Sequence, residues 1–378
     1  MFEPIVAAGT EYWALAAGER IEFRHLRTIP SAQFRDALAK GRPVYSFQTL
    51  RGYVEEDRRH LREAQPDVVV GDFRLSLSVS ARLAGIPYIA LSNAYWSPYA
   101  KLRMPLPEHP VVSLVGLPLS SALFGIARPA IFAYHSLPMN RLRLRYGLAP
   151  LGLDLRRVYT DADYTLYADL PGLVPVRRLP ATHGFLGPIN WSPRIATPSW
   201  WKSVPAGRPL VYVTLGSSGQ SALLPIVVQA LGSLAVTVIL ATAGRGSLSE
   251  YPGNVLVSEY LPGEEAARLA SLVICNGGSP TTYQALSEGK PVIGIASNMD
   301  QYLNMSVVQR VGAGRLIRSG LLSSALLRQT VETALCDSAM KEAAQRVKGM
   351  IDAYPAGERF ASWLRRAVDE HDDRSGRR

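Results

Sequence analysis

The chain has 378 residues, 47% hydrophobic and 19% charged, with 41 basic against 31 acidic side chains and a net charge of +10. This length and composition exclude a disordered or fibrous polymer and suit two globular domains with cores of their own. The positive balance is compatible with nucleic acid, anionic lipid or a phosphate-bearing ligand, but the Arg residues are scattered, part of the charge sits in the closing RRAVDEHDDRSGRR, and no RNP, zinc-finger or helix-turn-helix signature occurs, so nucleic acid is not an expected partner.

The first residues, MFEPIVAAGTEYW, lack the basic stretch and apolar core of a secretory leader. His25, in RIEFRHLR, is expected on a surface strand edge. Pro66–Asp72 (PDVVVGD) reads as a strand buried on both faces; LSLSVSARLAG is a helix and IPYIALS a second strand, together a βαβ unit. Val111–Tyr134 is long and mostly apolar, but Pro118, Ser120, Ser121, Arg128 and Pro129 interrupt it. The interruptions argue against a spanning helix; buried helices or an apolar ligand pocket are the expectation, with membrane-surface contact the second reading.

Leu179–Gly207 is dense in Pro, Gly, Ser and Trp, as in an interdomain loop. Beyond it, strands and helices alternate: PLVYVTLGS, SALLPIVVQALGSL, AVTVILATA, NVLVSEYLP, GEEAARLAS, LVIC, SPTTYQALSEG, KPVIGIA, QYLNMSVVQRVG and GAGRLI. Such alternation predicts a doubly wound parallel sheet with its ligand outside the carboxyl ends of the strands. Helices are expected over Leu322–Cys336, Ala339–Asp352 and Ala356–Glu370, the last with Phe360, Trp363 and Leu364 on one face. The expected domains are 1–190, a linker over 191–207, a second domain over 208–352, and a C-terminal helix over 353–378 that packs back on the first domain and ends in a basic tail. The two cysteines, Cys275 and Cys336, have neither metal-ligand spacing nor a disulfide framework, which points to a reducing, cytoplasmic compartment.

Three turns carry chemistry. In CNGGSPTT, Cys275–Thr282, a strand hands over to a helix through two glycines, with Ser279 the expected N-cap and Pro280 at the first helical position. Free backbone N–H groups and the Ser279, Thr281 and Thr282 hydroxyls suit a diphosphate; a capped helix after a tight turn is the plainer alternative. TLGSSGQS is a second Gly-Ser turn at a strand's carboxyl end. In SNMDQYLN, Asp300 and Gln301 offer acceptors and donors for sugar hydroxyls, the plainer alternative being an N-cap Asp.

The order of a GS turn, an aromatic-Leu-Pro element, GG-x-x-T, ALxxGxP and DQxxN resembles the family 1 nucleotide-sugar glycosyltransferases of the GT-B class, which includes natural-product glycosyltransferases and UDP-glucuronosyltransferases. The resemblance is strong from Val211 to Ile317 and looser before that. It implies two Rossmann-like domains with an interdomain cleft: an N-terminal domain for the acceptor and a C-terminal one for a UDP- or TDP-sugar. Tyr95, Trp96, Tyr99 and the Val111–Tyr134 segment point to a small, hydrophobic acceptor, the plainer alternative being that these residues belong to the core. By position, Gly216 and Ser217 would face the diphosphate, Tyr260 would stack on the base while the backbone at Leu261 reads its edge, and Asn276, Gly277, Gly278, Ser279 and Thr281 would hold phosphates. Gln284 would meet the ribose, Asp300 and Gln301 would bind the sugar, and Asp72 would be the acidic partner of the catalytic His. The implied reaction is an inverting hexosyl transfer that requires no metal and no cofactor beyond the sugar nucleotide.

Some positions depart from the family. Asn276 stands where His is usual, Tyr260 where Trp is common, Gly263 where Gln follows the Pro, and Gln284 where a Glu binds ribose. These departures suggest either a subgroup with its own donor preference or weakened donor binding. Family members also begin with a strand, a Gly-His turn, a helix and a second strand, whereas MFEPIVAAGTEYWAL resembles the segment just after that second strand; roughly 30–40 residues of the pattern lie outside the chain. A start assigned at an internal Met and a genuine truncation are the two readings. The rivals to a transferase are a non-catalytic nucleotide-sugar-binding pseudoenzyme, a truncated inactive enzyme, and a GT-B epimerase, against which the acceptor-like segment argues.

Overall fold

The computed structural model describes residues 3–9, 21–109, 111–190, 192, 195–205, 207–216, 221–244 and 248–375. Strands β1 (Ile5–Ala8) and β2 (Glu22–His25) pair in parallel, leaving His25 exposed at the end of β2. Helices α1 (Ser31–Ala39) and α2 (Phe47–Ala64) follow; α2 starts at Ser46, whose hydroxyl accepts the Thr49 N–H, and ends on Gln65 in the left-handed region. The expected βαβ unit is β3 (Val69–Asp72), α3 (Leu77–Ala84) and β4 (Tyr88–Ser92).

The next segment departs from expectation. α4 (Val111–Val115) precedes one long helix, α5 (Leu117–Arg145), with Pro129 and Pro138 inside it. By length and apolar composition α5 is long enough to cross a membrane. The expected burial is seen on one side only: Phe124 and Phe132 are buried, but Leu114 and Ile126 are each 80% exposed, and Leu119 and Leu123 are about half exposed. Pro129 does not end the helix because it lies on the exposed side, where the Gly125 carbonyl it leaves without a donor can be hydrated.

After α6 (Leu155–Tyr159) come β5 (Tyr164–Tyr167) and β6 (His183–Phe185), and β3-β4-β5-β6 form a parallel sheet. The chain then builds β7 (Leu210–Thr214), α7 (Leu224–Gly232), β8 (Thr237–Ala241), β9 (Val255–Ser258), α8 (Gly263–Leu269), β10 (Leu272–Cys275), α9 (Ser279–Ser287), β11 (Val292–Ala296), α10 (Met299–Arg310), β12 (Gly314–Arg318), α11 (Ser324–Cys336), α12 (Ser338–Asp352) and α13 (Ala356–Ser375). Their sheet is parallel throughout among the described residues, in the order β12-β11-β10-β7-β8-β9. Its apolar runs are buried, as in a parallel sheet covered by helices; on one face Val211, Val213, Leu240 and Ile274 pack with Leu224, Val227 and Leu231 of α7 and Leu327 and Val331 of α11.

The chain divides into two compact units. The first holds residues 1–101, 123–187 and 355–378. In it α13 covers the β3–β6 sheet, with Phe360, Trp363 and Leu364 against Ile89, Tyr164 and Leu166, and the Tyr164 hydroxyl donates to Glu370 at 2.6 Å. The second holds 102–122 and 188–354, so it includes Leu102–Ala122, a stretch that chain order places in the first half.

Candidate functional site

In the second unit, the loops after β7, β9, β10 and β11 all open on the carboxyl edge of the sheet. After β7, Gly216 turns with φ +64°, and a Cβ there would lie 3.2 Å from the Asn276 amide nitrogen. Ser217, the other residue expected at this turn, lies outside the described residues.

The turn after β10 is built by its own side chains. Asn276, 7% exposed, accepts the Gly278 N–H at 3.1 Å through its side-chain oxygen. Gly277 adopts φ +80°, and a Cβ would overlap Met305 of α10 at 2.7 Å. The Asn276 turn moves the helix start by one residue: Gly278 is the N-cap, Ser279 the first helical residue and Pro280 the second, so the expectation of a Ser279 cap is corrected. Ser279 and Thr281 are part-exposed beside the uncapped first turn, whereas Thr282 faces inward. Its hydroxyl donates to the Gly278 carbonyl or the Ser279 carbonyl and accepts from Asn304 at 2.8 Å, so it has no hydroxyl proton left for a ligand. Asn304 also donates to the Gly277 carbonyl at 2.8 Å. It is a site residue that the DQxxN pattern contains but that local reading leaves without a role. Cys275 is fully buried, and burial pushes its thiol up to about 12, which rules it out as a nucleophile at neutral pH.

At α10 the N-cap is Asn298, which forms a capping box with Gln301. Asp300 is therefore in the first turn and is not the cap, which removes the plainer reading of this residue. Gln301 is 2% exposed; its side-chain oxygen accepts the Ser297 N–H at 2.9 Å and the Ser297 hydroxyl at 3.1 Å. Its amide nitrogen is buried without a hydrogen-bond partner among the described residues. A buried donor left unpaired is costly, and a ligand oxygen at this point would remove that cost. The loop is fixed from its other side by Glu108, whose N–H donates to the Ser297 carbonyl at 3.1 Å. The Glu108 carboxylate accepts the Tyr302 hydroxyl and lies 3.2 Å from the Arg318 guanidinium, which stacks 4.5 Å over the Tyr302 ring. Arg318 also donates to the Leu106 and Pro107 carbonyls at 3.1 and 3.3 Å.

After β9, Tyr260 is 55% exposed and Leu261 is buried. The Ser258 hydroxyl donates to the Tyr260 carbonyl at 2.9 Å, which fixes the backbone beneath the ring. Gln284, in α9, lies against Gly263: a Cβ on Gly263 would be 2.8 Å from its side-chain oxygen. The glycine at this position thus makes the room that Gln284 occupies.

In the first unit, Asp72 ends β3 and loss of solvent around its carboxyl raises its pKa above the usual carboxylate value, although the residue still reaches the surface. The following Phe73 adopts φ +53°, and Arg74 anchors the turn to α2 through ion pairs with Glu56 at 3.0 Å and Asp57 at 2.9 Å. Phe73 and Trp96 both meet Tyr159, with ring centroids 5.0 and 5.2 Å apart, so aromatic rings gather at this sheet edge. Tyr95 is fully buried and belongs to the core. The cavity walled by Phe73, Tyr88, Leu91 and Tyr159 has about 10 Å³ of free volume, room for one water and not for an acceptor.

Residues 226–365 match the family model for the erythromycin biosynthesis protein CIII-like C-terminal domain. Over 322 residues the chain is 53% identical to a PGL/p-HBAD biosynthesis glycosyltransferase of Mycobacterium tuberculosis (strain ATCC 25177 / H37Ra), covering 85% of this chain and 75% of that protein. It is 52% identical over 329 residues to a PGL/p-HBAD biosynthesis rhamnosyltransferase of Mycobacterium bovis (strain BCG / Pasteur 1173P2), covering 86% and 73%. Among solved structures, a spinosyn rhamnosyltransferase complexed with thymidine diphosphate superimposes with a TM-score of 0.66 at 19% identity, covering 93% of this chain and 90% of that one. The parallel sheets, the ordered turns and this likeness lead to one assignment: the chain belongs to the GT-B glycosyltransferases, together with the mycobacterial PGL/p-HBAD biosynthesis enzymes.

Proposed function

We propose that this glycosyltransferase moves a hexose or deoxyhexose, with inversion, from a nucleoside-diphosphate sugar to a hydroxyl of a small hydrophobic acceptor. The observation that carries the reading is the grouping on one sheet edge of two glycine turns, an uncapped helix start and the unpaired Gln301 amide nitrogen. The partial positive charge at the start of α9 and the part-exposed Ser279 and Thr281 hydroxyls would take the diphosphate, the Gly216, Gly277 and Gly278 N–H groups being donated to Thr214, Cys275 and Asn276. Asp300 and the Gln301 nitrogen would bind the sugar, Gln284 the ribose, and the exposed Tyr260 ring the base. A relative named as a rhamnosyltransferase and a rhamnosyltransferase of the same fold complexed with thymidine diphosphate make TDP-rhamnose the first donor to assay, ahead of UDP-sugars.

In the proposed step, the base, in the family pattern the His of the Gly-His turn that lies outside this chain, takes the proton of the acceptor hydroxyl, with Asp72 as the acidic partner that orients that base and stabilises its protonated form. The oxygen attacks the anomeric carbon from the face opposite the leaving diphosphate, forming the new C–O bond as the bond to the diphosphate oxygen breaks. The negative charge that develops there faces the positive end of α9. No step uses a metal.

Thermal shift with TDP, UDP and their sugars tests the donor reading; stabilisation by none of them overturns it. Asp300→Ala should lower transfer by about 100-fold or more while TDP binding stays within about twofold. Equal loss of both would show that Asp300 does not act on the sugar.

A further inference from the structure

Leu123–Arg145 of α5 lie in the first unit, and one side of this stretch is held there. Phe124, Phe132, Met139 and Leu142 are buried, Asn140 donates to the Gly152 carbonyl at 2.7 Å, and Arg143 pairs with Asp161 at 2.5 Å. The opposite side is apolar and uncovered. Leu123, Ile126, Tyr134, Leu137 and Leu144 are 49%, 80%, 49%, 38% and 61% exposed, and steps of three or four residues through Ala130 and Arg141 line them up on one face.

That face runs for about 30 Å, longer than a small acceptor can cover. α5 contains no acidic residue; of its arginines, Arg141 and Arg145 are exposed on or beside this face, whereas Arg128 lies in register with Phe124 and Phe132 on the held side and Arg143 is buried. Two copies of the chain meeting through this face would oppose like charges, whereas an anionic surface would complement them. A spanning arrangement would strip the helix from the residues that bury its other side. We propose that this face of α5 seats the protein on an anionic bilayer, the leucines, Ile126 and Tyr134 entering the boundary between headgroups and acyl chains and Arg141 and Arg145 lying at phosphate level.

The test is co-sedimentation of the purified chain with vesicles of phosphatidylglycerol and phosphatidylcholine in equal amounts, and with phosphatidylcholine alone. The wild type should pellet with the mixed vesicles and bind the neutral ones more weakly. The double variant Ile126→Glu, Leu137→Glu should partition about 100-fold less, since two apolar anchors are lost. Both positions are exposed, so the variant should keep the wild-type circular dichroism; if it does not, Ile126→Ser with Arg141→Ser replaces it, with the same direction of effect. Wild-type protein left in the supernatant overturns the proposal. So does equal pelleting of wild type and folded variant, or a concentration-dependent dimer in sedimentation velocity that the same substitutions abolish while vesicles bind neither protein.

Discussion

Asn304 joins two pieces of backbone that chain order keeps apart. Its amide group donates to the Gly277 carbonyl and to the Thr282 hydroxyl, both buried. Asn304→Ala should therefore cost about 1–3 kcal/mol in chemical denaturation and weaken TDP binding, because the glycine turn loses its tie to α10. Gly277→Ala acts on the same turn by another route: at φ +80° and 2.7 Å from Met305, a Cβ adds strain and overlap, for a loss of roughly 1–3 kcal/mol. His183 sets a pH response. Burial lowers its pKa below the ordinary 6.5, and its ring nitrogen lies 2.7 Å from the Tyr167 hydroxyl, with the Tyr99 ring on another side. The unfolded chain takes up the proton more readily than the folded one, so this contribution to stability is complete above the unfolded value and is lost as pH falls through the lowered folded value. Melting temperature should drop as pH falls below the ordinary value of 6.5, and His183→Gln should flatten part of that slope; His135, shifted in the same direction by burial, carries another part. None of these roles can be read from local sequence, because each depends on a partner from a distant segment.

Among the elements, α10 and the Leu106–Glu108 strap act together. Glu108 holds the Ser297 carbonyl and the Tyr302 hydroxyl, and Arg318 ties strap and helix. Glu108→Ala should speed hydrogen exchange at the amides of Gln301 to Leu303 and raise the KM for the sugar nucleotide, while exchange at the Asn276 turn stays as in the wild type; exchange rising equally at both would mean general loosening. The strap is not legible in the sequence, since nothing in Leu106–Glu108 marks it as belonging with Arg318, 212 residues beyond Leu106. The alternation of β7 to β12 is legible almost strand for strand, because short, fully buried apolar runs bounded by Gly and Pro permit few other readings. The sequence of α5 misleads for a definable reason. Proline reads as a break, although a helix can keep it where the freed carbonyl faces water, and apolar composition reads as burial although much of that surface is exposed.

At the scale of the whole molecule, the first unit includes the last element of the chain, α13, and the second contains the elements assigned to the donor. Deleting residues 355–378 should uncover Ile89, Tyr164 and Leu166 and destabilise the first unit, seen as loss of its calorimetric transition; TDP should raise the melting temperature of the second unit's transition in both proteins. A single transition that TDP shifts as a whole would show that the units unfold as one. The overall class is readable from the order of the turns, but the path of Leu102–Ala122 is not, because tertiary contacts decide it. The double duty of α10 also bears on how this enzyme can change. One helix contributes Asp300 and Gln301 and also holds the phosphate turn through Asn304 and Met305, so under the proposed assignment the sugar and diphosphate contacts are inherited as a block. Under that assignment drift toward a new sugar would carry a penalty in leaving-group binding, whereas the base, proposed to stack on the exposed Tyr260 of a different loop, could be exchanged with little effect on the rest.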